Sequence, residues 1–317
     1  PTRVVFMMNA TQALNAALFG TLRQGDTVVV SPYDHNAVIR PLHHLERERG
    51  IRIRMVPGDV AGNLDLERAR ALLKGARLLV LTATSNVLGT CLPIRPLTAM
   101  AHEGGAVVLL DAAQWAGHFS DGLADAGVDL VAFTGHKGLL GPQGIGGLWI
   151  REGIDLSPLF LGGTGSASRM PTMPDGLPDR LEAGSSNAPG MAGLLAGIGY
   201  LAQKGIERLH QRELALKERL WGGLEQLSGL RMLSPRGGNG VGIVSVLPLG
   251  MEPSDFAGAL DREWGVLVRH GLNCAPGVHE LLGTGRAGAV RFSVGWATTE
   301  TEVDRAIEAA RELVSPH

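Results

Sequence analysis

Short apolar runs of strand length alternate with helical patterns through the first half of the chain, and this alternation constrains the fold more than any other feature. Val4–Met8 reads as a strand and Thr11–Phe19 as a helix, then Thr27–Val30 as a strand and His35–Arg49 as a helix. Ile51–Val56 alternates apolar and charged residues as a half-exposed strand does. Leu66–Leu73, Leu78–Thr82, Pro96–Glu103, Val107–Leu110 and Val128–Phe133 continue the alternation, and Gly147–Ile150 adds a strand. Strands that alternate with helices must be joined by crossovers, so the pattern predicts an α/β, doubly wound, mostly parallel sheet.

From Arg151 to Asn187 the pattern dissolves into Gly, Pro and Ser, as in a long functional or interface loop. Met191–Gln203 and Ile206–Leu227 then read as helices. The tail offers a strand at Gly242–Leu247, a helix at Ser254–Trp264, strands near Val266–Arg269 and Val290–Val294, and a last helix at Glu300–Leu313. The expected organisation is a large domain over residues 1–203 and a smaller C-terminal α+β domain over 204–317.

Composition removes several classes. The 45 glycines follow no three-residue period, which excludes collagen, and the 44% hydrophobic content excludes disorder. A formal charge of −2 and only 4% aromatic residues argue against nucleic acid or an anionic membrane as partner. The uncharged run near residues 183–203 is broken by Pro189, Asn187 and several glycines, so it reads as a loop and buried helix rather than a membrane span. Two cysteines, Cys91 and Cys274, build neither a disulfide framework nor a four-thiolate centre, so no metal is expected. The first residues show no signal-peptide pattern and read directly as a strand, and a reducing cytoplasm is the expected compartment.

In an open α/β sheet, ligands bind beyond the carboxyl ends of the strands. Asn9-Ala10-Thr11 follows the first strand, where a threonine can cap a helix or the free amides can bind an anion. Ser85-Asn86, Asp111-Ala112-Ala113-Gln114 and Thr134-Gly135-His136-Lys137 follow three others. Asp111 can cap the next turn or face a cationic partner. Lysine usage narrows the choice: four lysines stand against 25 arginines. Lys74, Lys204 and Lys217 lie among charged helical neighbours, as solvated side chains do, whereas Lys137 lies among glycines and leucines. An amine in such a setting is expected to lose basicity and gain nucleophilicity toward a carbonyl. The Gly-rich stretch follows this lysine and no G-x-x-x-x-G-K-[ST] spacing exists, which makes a P-loop a poor alternative. A lysine able to form a Schiff base, a strand-end carboxylate and a phosphate cup together suit pyridoxal 5′-phosphate (PLP).

With these motifs in hand, the chain resembles a known family. Asn9–Asn15, Asp34-His35-Asn36, Ser85–Thr90, Asp111–Gln114, Thr134–Lys137, Gly141–Gly146, Glu182–Ser185 and Arg269–Pro276 occur in the order found in class V aminotransferase-fold enzymes. The resemblance is to their cysteine desulfurase/selenocysteine lyase group and spans nearly the whole chain. It implies a fold-type-I PLP transferase acting as a homodimer. It also implies that Lys137 carries the cofactor and moves the substrate Cα proton. His35 would stack on the ring, Asp111 would pair with its nitrogen, and Gln114 would reach its phenolic oxygen. Asn86 would lie near that oxygen and the substrate carboxylate. Ala10, Thr11, Thr134 and His136 would hold the phosphate, with Ser185 completing the cup from a partner subunit. Arg291 would clamp the substrate carboxylate, with Arg269 also on the substrate side. Cys274 would take sulfur or selenium from cysteine or selenocysteine as a persulfide, release alanine and pass sulfur to an acceptor protein. Arg269, His270 and Arg291 would favour its thiolate. Cys91 reads as an inert, buried thiol.

Three departures qualify the resemblance. Asn273 stands where close relatives often carry histidine, and an amide supplies no proton, so slower turnover is expected. Ser185 replaces a more usual threonine but keeps the hydroxyl. The N-terminal arm that precedes the first strand in this group is not in the sequence, which begins at that strand. Alternatives are another PLP reaction (transamination, epimerisation or β-elimination) and a catalytically poor homologue serving as a sulfur relay or structural subunit.

Overall fold

The computed structural model describes residues 3–120, 123 and 125–314, and these fall into two compact units. The larger takes the described residues up to Pro57, together with Leu64–Ala83 and Pro93–Ile206. The smaller takes Gly58–Asn63, Thr84–Leu92 and the described chain from Glu207 onward. In this grouping the chain passes to the smaller unit after Ile206 rather than after residue 203, and two excursions, 58–63 and 84–92, also pack with the smaller unit.

The larger unit is built on a seven-stranded sheet. Its strands are β1 (Val4–Met7), β2 (Thr27–Val30), β3 (Arg52–Met55), β4 (Leu78–Thr82), β5 (Val107–Asp111), β6 (Leu130–Thr134) and β7 (Gly146–Ile150). They are ordered β1-β7-β6-β5-β4-β2-β3. The pairs β2–β3, β2–β4, β4–β5 and β5–β6 are parallel, while β7 runs antiparallel to both β1 and β6. Because β7 reverses direction twice over, β1 points the same way as β6. The carboxyl ends of β1, β2, β4, β5 and β6 therefore share one edge of the sheet, where ligand-binding loops gather in such folds.

The helices of this unit are α1 (Ala10–Thr21), α2 (Asn36–Arg49), α3 (Leu66–Leu73), α4 (Ile94–Glu103) and α5 (Ala188–Lys204). Val5, Leu14, Leu18, Val28, Val30, Leu42, Val80, Leu109 and Leu148 form one core between sheet and helices. Helix α1 starts one residue earlier than its apolar pattern suggests, because Asn9 rather than Thr11 is the cap: its side chain accepts from Gln12 N at 3.0 Å.

In the smaller unit, β8 (Leu230–Met232), β9 (Ile243–Pro248), β10 (Arg269–Gly271) and β11 (Ala289–Ser293) form an antiparallel sheet in the order β10-β11-β9-β8. Helices α6 (Ile206–Glu225, in this unit from Glu207), α7 (Pro253–Trp264), α8 (Pro276–Leu282) and α9 (Glu300–Val314) accompany it. Leu220, Leu224, Val244, Val246, Phe256, Leu260, Val290 and Phe292 make its core. The strand expected at Val266–Arg269 begins only at Arg269. Gly265 is left-handed at φ 65°, and the Gly265 and Val266 amides close α7 by donating to Asp261 and Leu260, which takes Val266 out of the sheet.

Lys217 is not solvated as its charged neighbours suggest. It is 4% exposed, one turn from equally buried Glu213, whose carboxylate accepts from Gly242 N. Burial lowers the basicity of the amine, against the opposing charges of Cys91 and Glu213. Cys91 is half-buried, with its Sγ 3.4 Å from Thr84 Oγ1. Among the described residues, no helix is long and apolar enough to cross a membrane.

Candidate active site

The carboxyl edge of the large sheet gathers most of the residues singled out from the sequence. Helix α1 follows β1 after two residues, and geometry leaves the first helical amides, those of Ala10 and Thr11, without partners inside the helix. Gln12 N is already taken by Asn9, and Gln12 Oε1 in turn accepts from Met8 N at 2.8 Å. What remains is an amide-lined helix start suited to an anion, with Thr11 exposed beside it.

At the end of β2, His35 caps α2: its Nδ1 accepts from Ala37 N at 3.0 Å. An accepting Nδ1 places the ring proton on Nε2 and keeps the imidazole neutral. Burial lowers its basicity further, and the charges of Asp111 and Lys137 both reach the ring, pulling in opposite directions. Its neighbour Asp34 is 1% exposed. That carboxylate accepts from Ser31 N at 2.7 Å, Ser31 Oγ at 3.1 Å and Thr82 N at 3.0 Å, tying the loop that carries His35 to the end of β4. Burial outweighs these donors and pushes Asp34 up to about 7, with Asp111 adding to the rise. No role was read from Asp34 in the sequence, although it stands directly before His35.

Asp111 ends β5, is 5% exposed, and accepts from Ala113 N at 2.9 Å. It caps a turn rather than a helix, and half-buried Gln114 sits on that turn. Thr134 ends β6 and lies 3.0 Å, Oγ1 to Nδ1, from His136. Lys137 follows and is exposed, so its apolar sequence neighbours do not bury the amine. Two glycines bring its loop against the Gln114 turn. A Cβ on Gly138 would stand 2.5 Å from Ala116 O and 2.6 Å from the His118 ring, and a Cβ on Gly117 only 2.1 Å from Gly138 O. Only hydrogen fits at either position, and the close approach aligns the Lys137 loop with the Asp111 turn. Ser185 is exposed and lines a small cleft with Met8, Gln12, Gly144, Phe160 and Asn187.

The smaller unit carries the remaining set. Cys274 is exposed, in the turn between β10 and α8. Arg291, on β11, donates from Nη1 to Asn86 O at 3.0 Å, and its Nε is buried without a hydrogen-bond partner among the described residues. Burial and the charge of Arg269 lower the basicity of this guanidinium, while Cys274 favours its charged form. Arg269, on β10, pairs in register with Arg291 and is exposed. Asn86 donates from Nδ2 to Asn273 O at 2.6 Å. A half-buried arginine with an uncommitted donor, next to an exposed thiol, suits a carboxylate ligand approached by a nucleophile.

A sheet edge bearing a lysine, a strand-end carboxylate, a neutral histidine and a helix start defines a class, and comparison with known proteins agrees. The sequence matches the family described as Aminotransferase class-V over residues 1–306, and the chain belongs to that family. Within it the chain falls in the cysteine desulfurase group. It is 35% identical over 98% of its length to a protein named "Probable cysteine desulfurase" from Pyrococcus abyssi, of which it covers 79%. Among solved structures it is similar to the apo cysteine desulfurase of Thermococcus onnurineus NA1, with a TM-score of 0.91 and 34% identity, covering 99% of this chain and 79% of that one. It is also similar to the Escherichia coli cysteine desulfurase CsdA (S-sulfonic acid), with a TM-score of 0.89 and 27% identity, covering 99% of this chain and 80% of that one.

Proposed function

We infer that the chain is a PLP-dependent cysteine desulfurase that removes sulfur from L-cysteine, leaves it as a persulfide on Cys274 and releases L-alanine. The observation that carries this reading is an exposed cysteine on a fixed turn beside Arg291, whose guanidinium keeps a buried, uncommitted donor.

The residues present fit the cofactor. The Ala10 and Thr11 amides, with Thr134 and His136, would hold its phosphate. Buried Asp111 would keep the pyridine nitrogen protonated, Gln114 would meet the phenolic oxygen, and the neutral His35 ring would stack. Lys137 would hold the group covalently. When bound, PLP supplies an electron sink for the pair released at Cα. Arg291 binds the substrate carboxylate, with Asn86 and Arg269 on the same side. Lys137 takes the Cα proton and later returns one, which its exposure permits. The Cys274 thiolate attacks the substrate sulfur. The S–S bond forms as the Cβ–S bond breaks, and the electrons of that bond remain with carbon, which is protonated to alanine. Atoms balance as thiol plus cysteine giving persulfide plus alanine. Selenocysteine fits the same chemistry with selenium as the attacked atom.

Exposed Met8 and Phe160 flank Ser185 in one cleft, which supports a homodimer in which Ser185 completes a partner's phosphate cup. An exposed persulfide calls for a sulfur-acceptor protein. Two free thiols suit a reducing compartment such as the cytoplasm. The test is an amino-acid screen that detects alanine, pyruvate and sulfide together, run beside alkylation of the protein persulfide. Alanine in step with a persulfide on Cys274, with both lost in Cys274→Ala, supports the reading. Unchanged activity on cysteine in that variant overturns it, and pyruvate or a keto acid in place of alanine identifies a different PLP reaction.

A further inference from the structure

The backbone around the thiol is unusual. Asn273 and Cys274 both lie in the left-handed region, at φ 47° and 58°. Ala275 N donates to Leu272 O at 2.9 Å across them, closing a turn with two consecutive left-handed residues. Turns of this primed kind favour Asn or Asp at the first central position and Gly at the second. Asn273 meets the first preference. Cys274 violates the second, since its Cβ crowds the following carbonyl. Strain of this sort persists only where the surroundings over-determine it.

The surroundings do so through asparagine. Asn273 is 8% exposed, and its Nδ2 donates to Gly271 O at 3.1 Å, back across the start of the turn. That bond fixes the orientation of the amide, whose Oδ1 is buried without a partner among the described residues. The carbonyl of Asn273 accepts from Asn86 Nδ2 at 2.6 Å. Asn86 is held in turn, because its own carbonyl accepts from Arg291 and the next residue, Val87, accepts from Ser245 Oγ at 2.6 Å. A continuous chain of hydrogen bonds thus runs from the Arg291 guanidinium through Asn86 to the peptide that precedes the thiol.

We propose that Asn273 is a positioning residue: its side-chain clasp on Gly271, together with the Asn86 tether, holds Cys274 in its left-handed turn and sets the direction from which the thiol reaches the substrate sulfur. This rests on Cys274 being the nucleophile. It gives the asparagine a task that does not involve proton donation. It also gives the thiol and the carboxylate-binding arginine one shared frame.

The experiment uses the holoenzyme with Asn273→Ala and Asn273→Gly. Glycine keeps the left-handed backbone and loses the clasp, whereas alanine loses both. Three readouts are taken with L-cysteine and iodoacetamide: the single-turnover rate of persulfide formation, the KM for cysteine, and the rate at which Cys274 is alkylated without substrate. The expected result is persulfide formation slowed about tenfold or more in Asn273→Ala and by a smaller factor in Asn273→Gly. KM and alkylation should stay within about twofold of wild type, because a small reagent needs no aimed thiol. A wild-type persulfide rate in Asn273→Ala overturns the proposal. An equal loss in alkylation and persulfide rate also overturns it, since that marks general disruption of the loop. Absence of any Cys274 persulfide in the wild-type enzyme instead defeats the assignment of the nucleophile, which separates the two failures.

Discussion

The carboxyl edge of the large sheet and the Cys274 turn of the small unit hold their functional side chains by opposite means. At the sheet edge most of the contacts are local, the bond from Thr82 N to Asp34 across 48 residues being an exception. Asn9 caps Gln12, His35 caps Ala37, Asp111 accepts from Ala113, and Thr134 meets His136, each within three residues. The strands supply most of the long-range order, and each loop adds short-range bonds of its own. At the thiol turn the local clasp of Asn273 on Gly271 is joined by contacts that span the chain: Asn86 to Asn273 across 187 residues and Arg291 to Asn86 across 205. A locally fixed site tolerates disturbance elsewhere in its unit, whereas a site held from afar depends on every segment that reaches it.

Substitutions can break this contrast at both ends. The largest effect is expected at Lys137→Ala, with activity on cysteine falling by about 10³-fold or more through loss of the proton-transfer group and cofactor attachment. The cofactor's absorbance band should disappear with it, and a surviving borohydride-reducible band would move the assignment to another lysine. Next is Arg291→Lys, which keeps the charge but loses the planar fork. A lost charged hydrogen bond of about 2 kcal/mol raises KM for cysteine roughly 30-fold. A greater loss in persulfide rate than in binding would mean that the arginine acts chiefly through its bond to Asn86.

Gly138→Ala forces a Cβ against Ala116 O, and overpacking of this kind costs about 1–3 kcal/mol, measurable by urea denaturation. Activity should fall with it, since the Lys137 loop must retreat from the Asp111 turn. The last prediction concerns Asp34 and is read in stability rather than activity. Its folded-state pKa of about 7 lies above the ordinary carboxylate value near 3.8, so its contribution to stability is fully present below about pH 4. That contribution is lost as pH rises through 7, at up to about 1.4 kcal/mol per pH unit. In Asp34→Asn this part of the slope should vanish between pH 4 and 7, at a pH-independent cost of about 1–3 kcal/mol because an amide NH₂ must face a backbone donor. An unchanged slope would show that Asp34 does not titrate in this range.

The same contrast explains what the sequence reveals. The strand–helix alternation is readable because burial sets its period, and the polar residues after each strand mark the ligand edge without any knowledge of distant contacts. The choice between Asn9 and Thr11 as cap is not readable, since both side chains can do the work two residues apart. Three-residue β8 is too short to carry a period, and Val266 is withdrawn from the next strand by the closure of α7. Lys217 is buried beside Glu213, whose partner Gly242 lies 29 residues on, and charged neighbours in sequence give no sign of it. The left-handed turn at Asn273 and Cys274 is only half legible: Asn273 suits the first position, but a cysteine gives no hint of positive φ and the Asn86 tether lies 187 residues away.

The unequal use of arginine and lysine bears on chemical selectivity. Carbonyl compounds condense with any accessible amine, but a guanidinium does not readily do so. Of the four lysines, Lys217 is buried and Lys74, Lys137 and Lys204 are exposed. A chain with 25 arginines carries its positive charge almost entirely on groups inert to aldehydes. Excess cofactor then finds few competing amines, and adventitious modification of this protein should approach two sites rather than the dozens that a lysine-rich surface would offer.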